Sequence, residues 1–412
     1  MHKISILAAL TAIVLSGSAC SKIFGDDSKN NEYKPLKLTT KSAEFAEKGS
    51  TFTFQFIDQI NTASTKDYII SPLSMQFVLG MVLDGAKGET AEEICQVLGY
   101  GAGETEAVNE YCLSMLQQLP ALDKKTKLTI ANAIFVDDGW PLQNNYKRTV
   151  GKYYQAEVAN LNFADGAASL KAINGWCSDH TNGLIPQILD KVDRDMLAYL
   201  LNALYFKSQW KDKFDKAKTS DEFFTDESGT RGKLPMMKQN KAYGYTETDV
   251  YQAVRLPYGN SAFSMYIFLP KEEYGVSDVT AFLRQADWDL VRDALSTCEV
   301  NLWLPRFETK YHIKLNDILS EMGMPLSFDP VHADFSAMSD YALCLSFVQQ
   351  DAIIKVDEEG SEAAAVSSVG MLRTASAGPE KYVVFHADHP FLYLITESST
   401  GAVLFAGRYS GK

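Results

Sequence analysis

The stretch that decides the fold is Phe385-His386-Ala387-Asp388-His389-Pro390-Phe391-Leu392-Tyr393-Leu394-Ile395, close to the C-terminus. Apolar residues continue through 391–396 and resume in a second run at 402–405. The link between the runs is Glu397-Ser398-Ser399-Thr400-Gly401, which is polar and ends in glycine. A short polar link between two apolar runs indicates a β-hairpin, so we predict two paired strands here.

Helix and strand patterns interleave upstream of this hairpin. Apolar residues recur at helical spacing over 54–60, and Thr90 to Gly99 predicts a helix. In that helix Thr90 and Glu93 form a candidate capping box, and Gly99 suits the C-terminal cap. Strands are predicted at 128–136, 253–257, 263–270 and 299–304. Because no composition break divides these elements, we predict one mixed α+β domain.

The segment between residues 356 and 382 has no strong apolar face. A structureless loop of about two dozen residues inside a compact domain is usually functional or disordered. One interpretation makes 362–369 an exposed helix, because alanine and glutamate favour that state. The other makes it a strand in which Ser361, Ala363, Ala365 and Ser367 share one face, small enough to slide between existing strands. Periodicity leaves both interpretations open.

The quoted C-terminal stretch resembles the serpin signature at every position, and Glu358 to Ala365 resembles the serpin hinge. The similarity extends from about residue 52 to residue 408. Other motifs occur in the family's order: Ile70-Ser71-Pro72-Leu73-Ser74, Gly85-Ala86-Lys87-Gly88-Glu89-Thr90, Ile173-Asn174-Gly175-Trp176, Thr181-Asn182-Gly183-Leu184-Ile185, and Leu201-Asn202-Ala203-Leu204-Tyr205-Phe206-Lys207 with Trp210.

This resemblance implies an α+β fold with three β-sheets, about eight or nine helices and an exposed reactive loop at about 358–381. It implies irreversible suicide-substrate inhibition of serine proteases, with cysteine proteases as a second target class. The cleaved loop would insert into the large sheet as an extra strand and trap the acyl-enzyme. The resemblance implies no cofactor. The protein would be a monomer, and it would not be an enzyme.

The resemblance also assigns roles to individual residues. Arg306, Glu358 and Trp210 match the breach, where insertion begins, and we expect an ion pair between Arg306 and Glu358. Two further regions match the family's pattern over several residues each: the shutter, which lies under the centre of the sheet, and the hinge. The shutter matches Ser71, Ser74, Asn202 and Gln350; the hinge matches Glu358, Gly360, Ser361, Glu362, Ala363, Ala364 and Ala365.

Gln350 departs from the pattern, because many family members have a histidine there. An amide can donate and accept hydrogen bonds, but it cannot titrate. Any pH dependence that belongs to the histidine is therefore not expected to carry over.

The peptide bond of the reactive loop that the target protease cuts, here called the bait bond, has two candidate positions. Counting from Gly360 as in typical inhibitory members places Thr374 just before the cut, since 374 − 360 = 14. A trypsin-like protease would cut between Arg373 and Thr374, and an elastase-like protease between Thr374 and Ala375.

The sequence bears on two alternative functions. The sequence contains no HExxH, no GxSxG and no P-loop, which argues against an enzyme. A non-inhibitory serpin acting as a binding or surface interaction protein is the closer alternative. Such members usually carry bulky, charged or proline residues in the hinge, where this chain has only Glu362.

Residues 1–20 resemble a lipoprotein signal peptide that ends at a lipidated Cys20. Cleavage near Ala19 as an ordinary signal peptide is the alternative. We predict a flexible tether at 21–37 and a single domain at 38–412. The protein would be exported and lipid-anchored to a bacterial membrane, at the outer membrane or cell surface; the alternative is secretion.

The chain has 412 residues and a formal charge of −13. That charge argues against nucleic-acid binding, which needs clustered lysine and arginine. Five cysteines remain beyond Cys20, widely scattered and without metal-ligand spacing. We therefore predict buried free thiols and no metal site.

Overall fold

The computed structural model describes residues 31–64, 66–101, 103–346, 348–361 and 381–411. The compact body comprises Tyr33–Lys412. The α-helices of the described residues are α1 (Thr40–Ala63), α2 (Pro72–Gly85), α3 (Gly88–Val97), α4 (Thr105–Gln118), α5 (Asn144–Tyr153), α6 (Gly166–His180), α7 (Val276–Gln285), α8 (Trp288–Asp293) and α9 (Asn316–Met322).

The strands form two hydrogen-bonded sheets. They are β1 (Tyr68–Ile70), β2 (Lys127–Asp137), β3 (Glu157–Leu161), β4 (Ala198–Gln209), β5 (Ser220–Thr225), β6 (Arg231–Glu247), β7 (Tyr251–Pro257), β8 (Phe263–Pro270), β9 (Ser296–Pro305), β10 (Phe307–Lys314), β11 (Gln349–Val356), β12 (Gly360–Ser361), β13 (Tyr382–His386), β14 (Phe391–Glu397) and β15 (Val403–Tyr409).

The larger sheet has nine strands in the order β1-β15-β14-β8-β7-β6-β9-β13, with β5 also paired to β6. The smaller sheet has six strands in the order β10-β11-β12-β4-β2-β3. Strand β6 is 17 residues long; its beginning pairs with β5 and its end with β7. Two of the three expected sheets are therefore joined edge to edge, because β6 belongs to both.

Helix α2 lies at the centre of the core. It packs against β4 of the smaller sheet and β15 of the larger sheet. Thirteen of its 14 residues are buried, and Asp84 is the exception. A helix that is largely apolar and buried on nearly all sides is expected to lie between layers. No helix in the described part of the chain is long and apolar enough to cross a membrane.

The sequence predictions of strands agree closely with the observed elements. The predicted strand at 263–270 coincides with β8, and the one at 128–136 lies inside β2. The C-terminal hairpin is present as β14 and β15, which pair antiparallel from Phe391↔Tyr409 onward. The predicted α+β class is confirmed.

The predicted capping box of α3 is wrong. The helix begins at Gly88, so Thr90 and Glu93 already lie inside it. Their side chains serve tertiary contacts instead: the Thr90 hydroxyl accepts from the Asp334 amide at 3.0 Å, and Glu93 accepts from the Leu326 amide at 2.9 Å. The C-terminal end follows the prediction, with Gly99 at φ +83°.

The predicted tether is also too long at its C-terminal end. The Leu36 amide donates to the Ser399 hydroxyl at 3.1 Å, and the Lys37 amide donates to the Gln118 side chain at 2.8 Å. These bonds attach residues 33–37 to the body, so the compact unit begins at Tyr33 rather than at residue 38.

Candidate functional site at the open edge of the smaller sheet

Strands β4 and β11 are neighbours in the smaller sheet only through the two-residue strand β12. Gly360 pairs with Gln209 and Ser361 with Ser208 on the β4 side, while Ser361 pairs with Val356 of β11. Within the described residues, no hydrogen-bond ladder joins β4 directly to β11. Strand edges that face each other without a ladder are a template for a further strand.

A tight turn connects β11 to β12. The Asp357 amide donates to the Gly360 carbonyl at 3.0 Å, and the Asp357 carboxylate accepts from the Glu359 amide at 2.8 Å. Glycine is required at position 360, because a β-carbon there would collide with the carbonyl oxygen of Ser208. The turn therefore directs the chain back between β4 and β11.

Ser361 is already inside the sheet. It is buried, and its hydroxyl lies 2.6 Å from the hydroxyl of Tyr258. The Tyr258 ring stacks on Trp210 with a centroid distance of 4.4 Å. The serine therefore occupies the inward face that the period-two interpretation assigned to it.

The structure brings together the three residues matched to the breach. The Arg306 guanidinium donates to the Glu358 carboxylate at 2.6 Å, and the Trp210 indole donates to the Asp357 carbonyl at 2.8 Å. Glu358 is 1% exposed whereas the Arg306 side chain is 47% exposed, so solvent reaches this pair on the arginine side only. Burial favours a raised pKa for Glu358, but hydrogen bonds from Arg306 and Thr219 more than offset it and hold the pKa below its usual value.

Several contacts at the base of the hinge were missed by sequence reasoning. The Thr219 hydroxyl donates to Glu358 at 2.6 Å, and the Lys213 ammonium donates to Glu359 at 2.6 Å. Both come from the segment that follows β4. Its backbone also holds the turn, since the Trp210 amide donates to the Glu359 carbonyl at 2.9 Å. The sequence did contain a signal for these contacts: four lysines at positions 211–218 carry the charge opposite to that of the three consecutive acidic residues at 357–359.

Three of the four residues matched to the shutter form one hydrogen-bonded group. The side chain of Gln350 accepts from the Ser71 amide and donates to the Ser71 carbonyl, both at 2.9 Å. The Ser71 hydroxyl donates to the Leu404 carbonyl at 2.6 Å and accepts from the Ser74 amide at 3.1 Å. The amide of Gln350 therefore connects β11 to the start of α2.

Asn202, the fourth shutter residue, has a different partner. Its side-chain amide donates to Asn132 at 2.8 Å, across the ladder between β4 and β2. Sequence reasoning missed Asn132. The four predicted shutter residues nevertheless all line one cavity of about 270 Å³. The cavity is bounded by α2, β4 and β11, beneath the facing edges of the two strands.

The remaining predicted site residues lie outside the described residues. They are Glu362, Ala363, Ala364 and Ala365 of the hinge, Arg373, Thr374 and Ala375 at the bait bond, and Cys20.

The described cysteines are free thiols: Cys95, Cys112, Cys177 and Cys298 are buried, and Cys344 is partly exposed. The described residues contain no cluster of three or more histidine, cysteine or acidic side chains able to hold a metal ion.

Comparison with known proteins identifies the family. A family model described as Serpin (serine protease inhibitor) matches residues 47–411. Serpin B6 of Macaca fascicularis is 32% identical over 375 residues, which cover 89% of this chain and 98% of that protein. An uncharacterized serpin-like protein of Methanosarcina mazei is 29% identical over 98% of this chain and 97% of its own length.

The fold agrees with solved structures as well. The crystal structure of tengpin, a thermophilic serpin in the native state, superposes with a TM-score of 0.81 and 29% identity. The match covers 93% of this chain and 98% of tengpin. The chain therefore belongs to the serpin family.

Proposed function

We propose that the protein is an irreversible suicide-substrate inhibitor of serine proteases, with cysteine proteases as a second target class. The family consists in general of protease inhibitors, although some members are non-inhibitory. One observation carries the proposal: Gly360 and Ser361 are already wedged between β4 and β11, whose facing edges have no direct ladder in the described residues.

The geometry explains how cleavage would trap a protease. Attack by the protease serine on the bait carbonyl forms an ester with the residue before the cut and releases the amine of the residue after it. The freed chain would then extend β12 between β4 and β11, and each added residue would gain sheet hydrogen bonds. The attached protease would be carried along before water hydrolyses the ester.

The hinge composition suits this extension. If the strand continues from Ser361, the side chains of Ala363 and Ala365 enter the layer above α2. The cavity lies in that layer, so small residues can be added without overpacking. Cleavage between Arg373 and Thr374 would favour trypsin-like targets, and cleavage between Thr374 and Ala375 would favour elastase-like targets.

Denaturing gels test the proposal after mixing the protein with trypsin and with an elastase. We expect an SDS-stable complex with at least one of them, and mass spectrometry of the released peptide will identify the bait bond. Ala363→Arg should abolish the complex and leave a cleaved substrate, because the inward face cannot accommodate a buried guanidinium. Ala364→Arg is the matched control, since an inserted strand turns that side chain to the other face.

Cleavage without a stable complex across a panel of serine and cysteine proteases would refute inhibition. It would favour the non-inhibitory alternative, a binding or surface interaction protein.

We also propose that the protein is a monomer anchored to a bacterial membrane through lipidated Cys20, with the body exposed at the surface. Mass spectrometry of the mature N-terminus should detect an acylated cysteine, and Cys20→Ala should release the protein from the membrane fraction. An unmodified N-terminus near residue 20 would instead indicate secretion.

A further inference from the structure

A continuous chain of polar contacts connects the end of α2 to the shutter. The Asn109 side-chain amide of α4 donates to the Asp84 carboxylate at 2.8 Å, and the Tyr154 hydroxyl donates to the other end of the Asn109 amide at 2.6 Å. The Tyr154 carbonyl accepts from Asn132 of β2 at 2.7 Å, and Asn132 accepts from Asn202 of β4 at 2.8 Å. One path therefore connects two helices to two strands.

Packing holds this path in place. Tyr154 is fully buried, and its hydroxyl lies against α2 at Gly80, where a β-carbon would collide with it. Asn109 and Asn132 are also buried. A buried network of this kind is rigid when every member is satisfied and is sensitive to the loss of one partner.

Asp84 is the vulnerable member. It lies in the last turn of α2, where the helix dipole disfavours an anion. One of its carboxylate oxygens is buried and has no hydrogen-bond partner among the described residues. Burial raises the pKa of Asp84 to about 7, although the bond from Asn109 opposes the shift.

The titratable groups that face Asp84 are Cys112 of α4, Tyr146 of α5 and Tyr154. Burial raises the pKa of each of them well above its usual value, so all three stay neutral between pH 6 and pH 8. Among these groups, Asp84 is therefore the one that changes charge in this range.

We propose that Asp84 is a proton-operated switch on the shutter. A neutral Asp84 keeps the path through Asn109 and Tyr154 intact and holds β2 and β4 against the helices. An ionised Asp84 draws water between α2 and α4, which loosens Tyr154 and with it the Asn132–Asn202 pair. The consequence for loop insertion rests on the proposed function: insertion requires β4 to move until a full strand fits between it and β11, so it should be faster at pH 8 than at pH 6.

Proton linkage sets the direction in which the contribution of Asp84 to stability changes with pH. The folded-state pKa is raised, so the stabilising contribution is complete below about pH 4, declines as the pH rises towards 7, and is constant above that. With an ordinary value of 3.8 and a folded value of about 7, Asp84 alone makes the unfolding constant about tenfold larger at pH 8 than at pH 6.

Two measurements test the switch without any protease. Urea unfolding at pH 6 and pH 8 should show this tenfold contribution in the wild type, and Asp84→Asn should remove it. Asp221→Asn, on an exposed aspartate of β5, should keep it. Hydrogen–deuterium exchange, corrected for intrinsic rates, should show less protection of Ala198–Gln209 at pH 8 than at pH 6.

The variant Tyr154→Phe separates the titration of Asp84 from its effect on β4. It removes the hydroxyl that bonds Asn109, so unfolding should remain pH-dependent while the protection of Ala198–Gln209 loses its pH response. Wild-type exchange in β4 that is the same at both pH values would overturn the proposal, even if Asp84→Asn fails to fold. Formation of SDS-stable complexes alongside that result would leave the proposed inhibitory function standing.

Discussion

Glu358 connects the base of the hinge to two separate parts of the fold. Arg306 reaches it from the end of β9, and Thr219 reaches it from the segment that precedes β5. Charged hydrogen bonds of this kind are roughly twice as strong as neutral ones. The carboxylate therefore fixes the turn from which β12 starts.

Glu358→Gln should lower the free energy of unfolding at pH 7 by about 1–3 kcal/mol, the typical cost of losing a charge-assisted bond. The pKa of Glu358 is lowered in the fold, so its contribution is present above the usual value near 4.5 and is lost as the pH falls through the folded value. Urea unfolding of wild type and variant should therefore converge in acid. Equal stabilities at pH 7, with exposed Glu44→Gln as the control, would contradict this account.

Gln350 makes its contribution through both ends of one amide. Gln350→Ala leaves the buried amide of Ser71 without its partner. The Ser71 carbonyl loses one of its two donors and keeps the Met75 amide, so we expect a loss of about 2 kcal/mol. Thermal unfolding should show a lower midpoint for this variant than for Gln96→Ala, which removes an exposed glutamine of α3. Matching midpoints would mean that water replaces the side chain without cost.

Sequence reasoning at this scale identified residues better than partners. Glu358, Ser71 and Gln350 were named from motifs, and they do lie at the hinge base and beneath the sheet. Asn132 was missed because its importance comes from the register that sets it opposite Asn202. That register depends on long-range pairing, which local patterns do not encode.

The smallest element, β12, has the largest consequence at the scale of secondary structure. Two residues complete a turn, bridge two strands and set the direction in which a longer strand would grow. Extension needs no new turn, because the Asp357–Gly360 turn is already formed.

Gly360→Ala should expel β12, since the added methyl group would collide with the Ser208 carbonyl. We expect a lower melting temperature, altered fluorescence of the neighbouring Trp210 and a larger fraction of protein consumed as substrate. Gly175→Ala in α6 is the matched control, because a β-carbon there meets no atom within 4 Å. If Gly360→Ala leaves the melting temperature, the fluorescence and the substrate fraction as in the wild type, this role of β12 is contradicted.

Element boundaries show where local rules stop. The run of apolar residues at 263–270 located β8 to the residue, whereas α3 began two residues before its predicted cap. Thr90 fits a cap by sequence alone, but its hydroxyl accepts a hydrogen bond from the amide of Asp334, which lies 244 positions later in the chain. A tertiary contact decided the outcome.

At the scale of the whole molecule, the proposed function depends on β4 and β11, which no ladder joins directly in the part of the chain that the structure describes, and on the cavity beneath them. On the proposed function, a strand inserted there would gain sheet hydrogen bonds and packing, and the uncleaved fold would then be kinetically rather than thermodynamically stable. The sequence predicted the α+β class and the family. The joining of two sheets through β6 needed the structure, because nothing in the residues of β6 indicates that its two ends pair with different strands.

The most direct test of this account is the melting temperature before and after cleavage of the loop at 373–375. An inserted strand of about ten residues should add about ten hydrogen bonds worth about 1 kcal/mol each. The account therefore predicts a rise of about 10 °C or more on cleavage, and no such rise for Ala363→Arg. A wild-type melting temperature that is unchanged or lower after cleavage would contradict it.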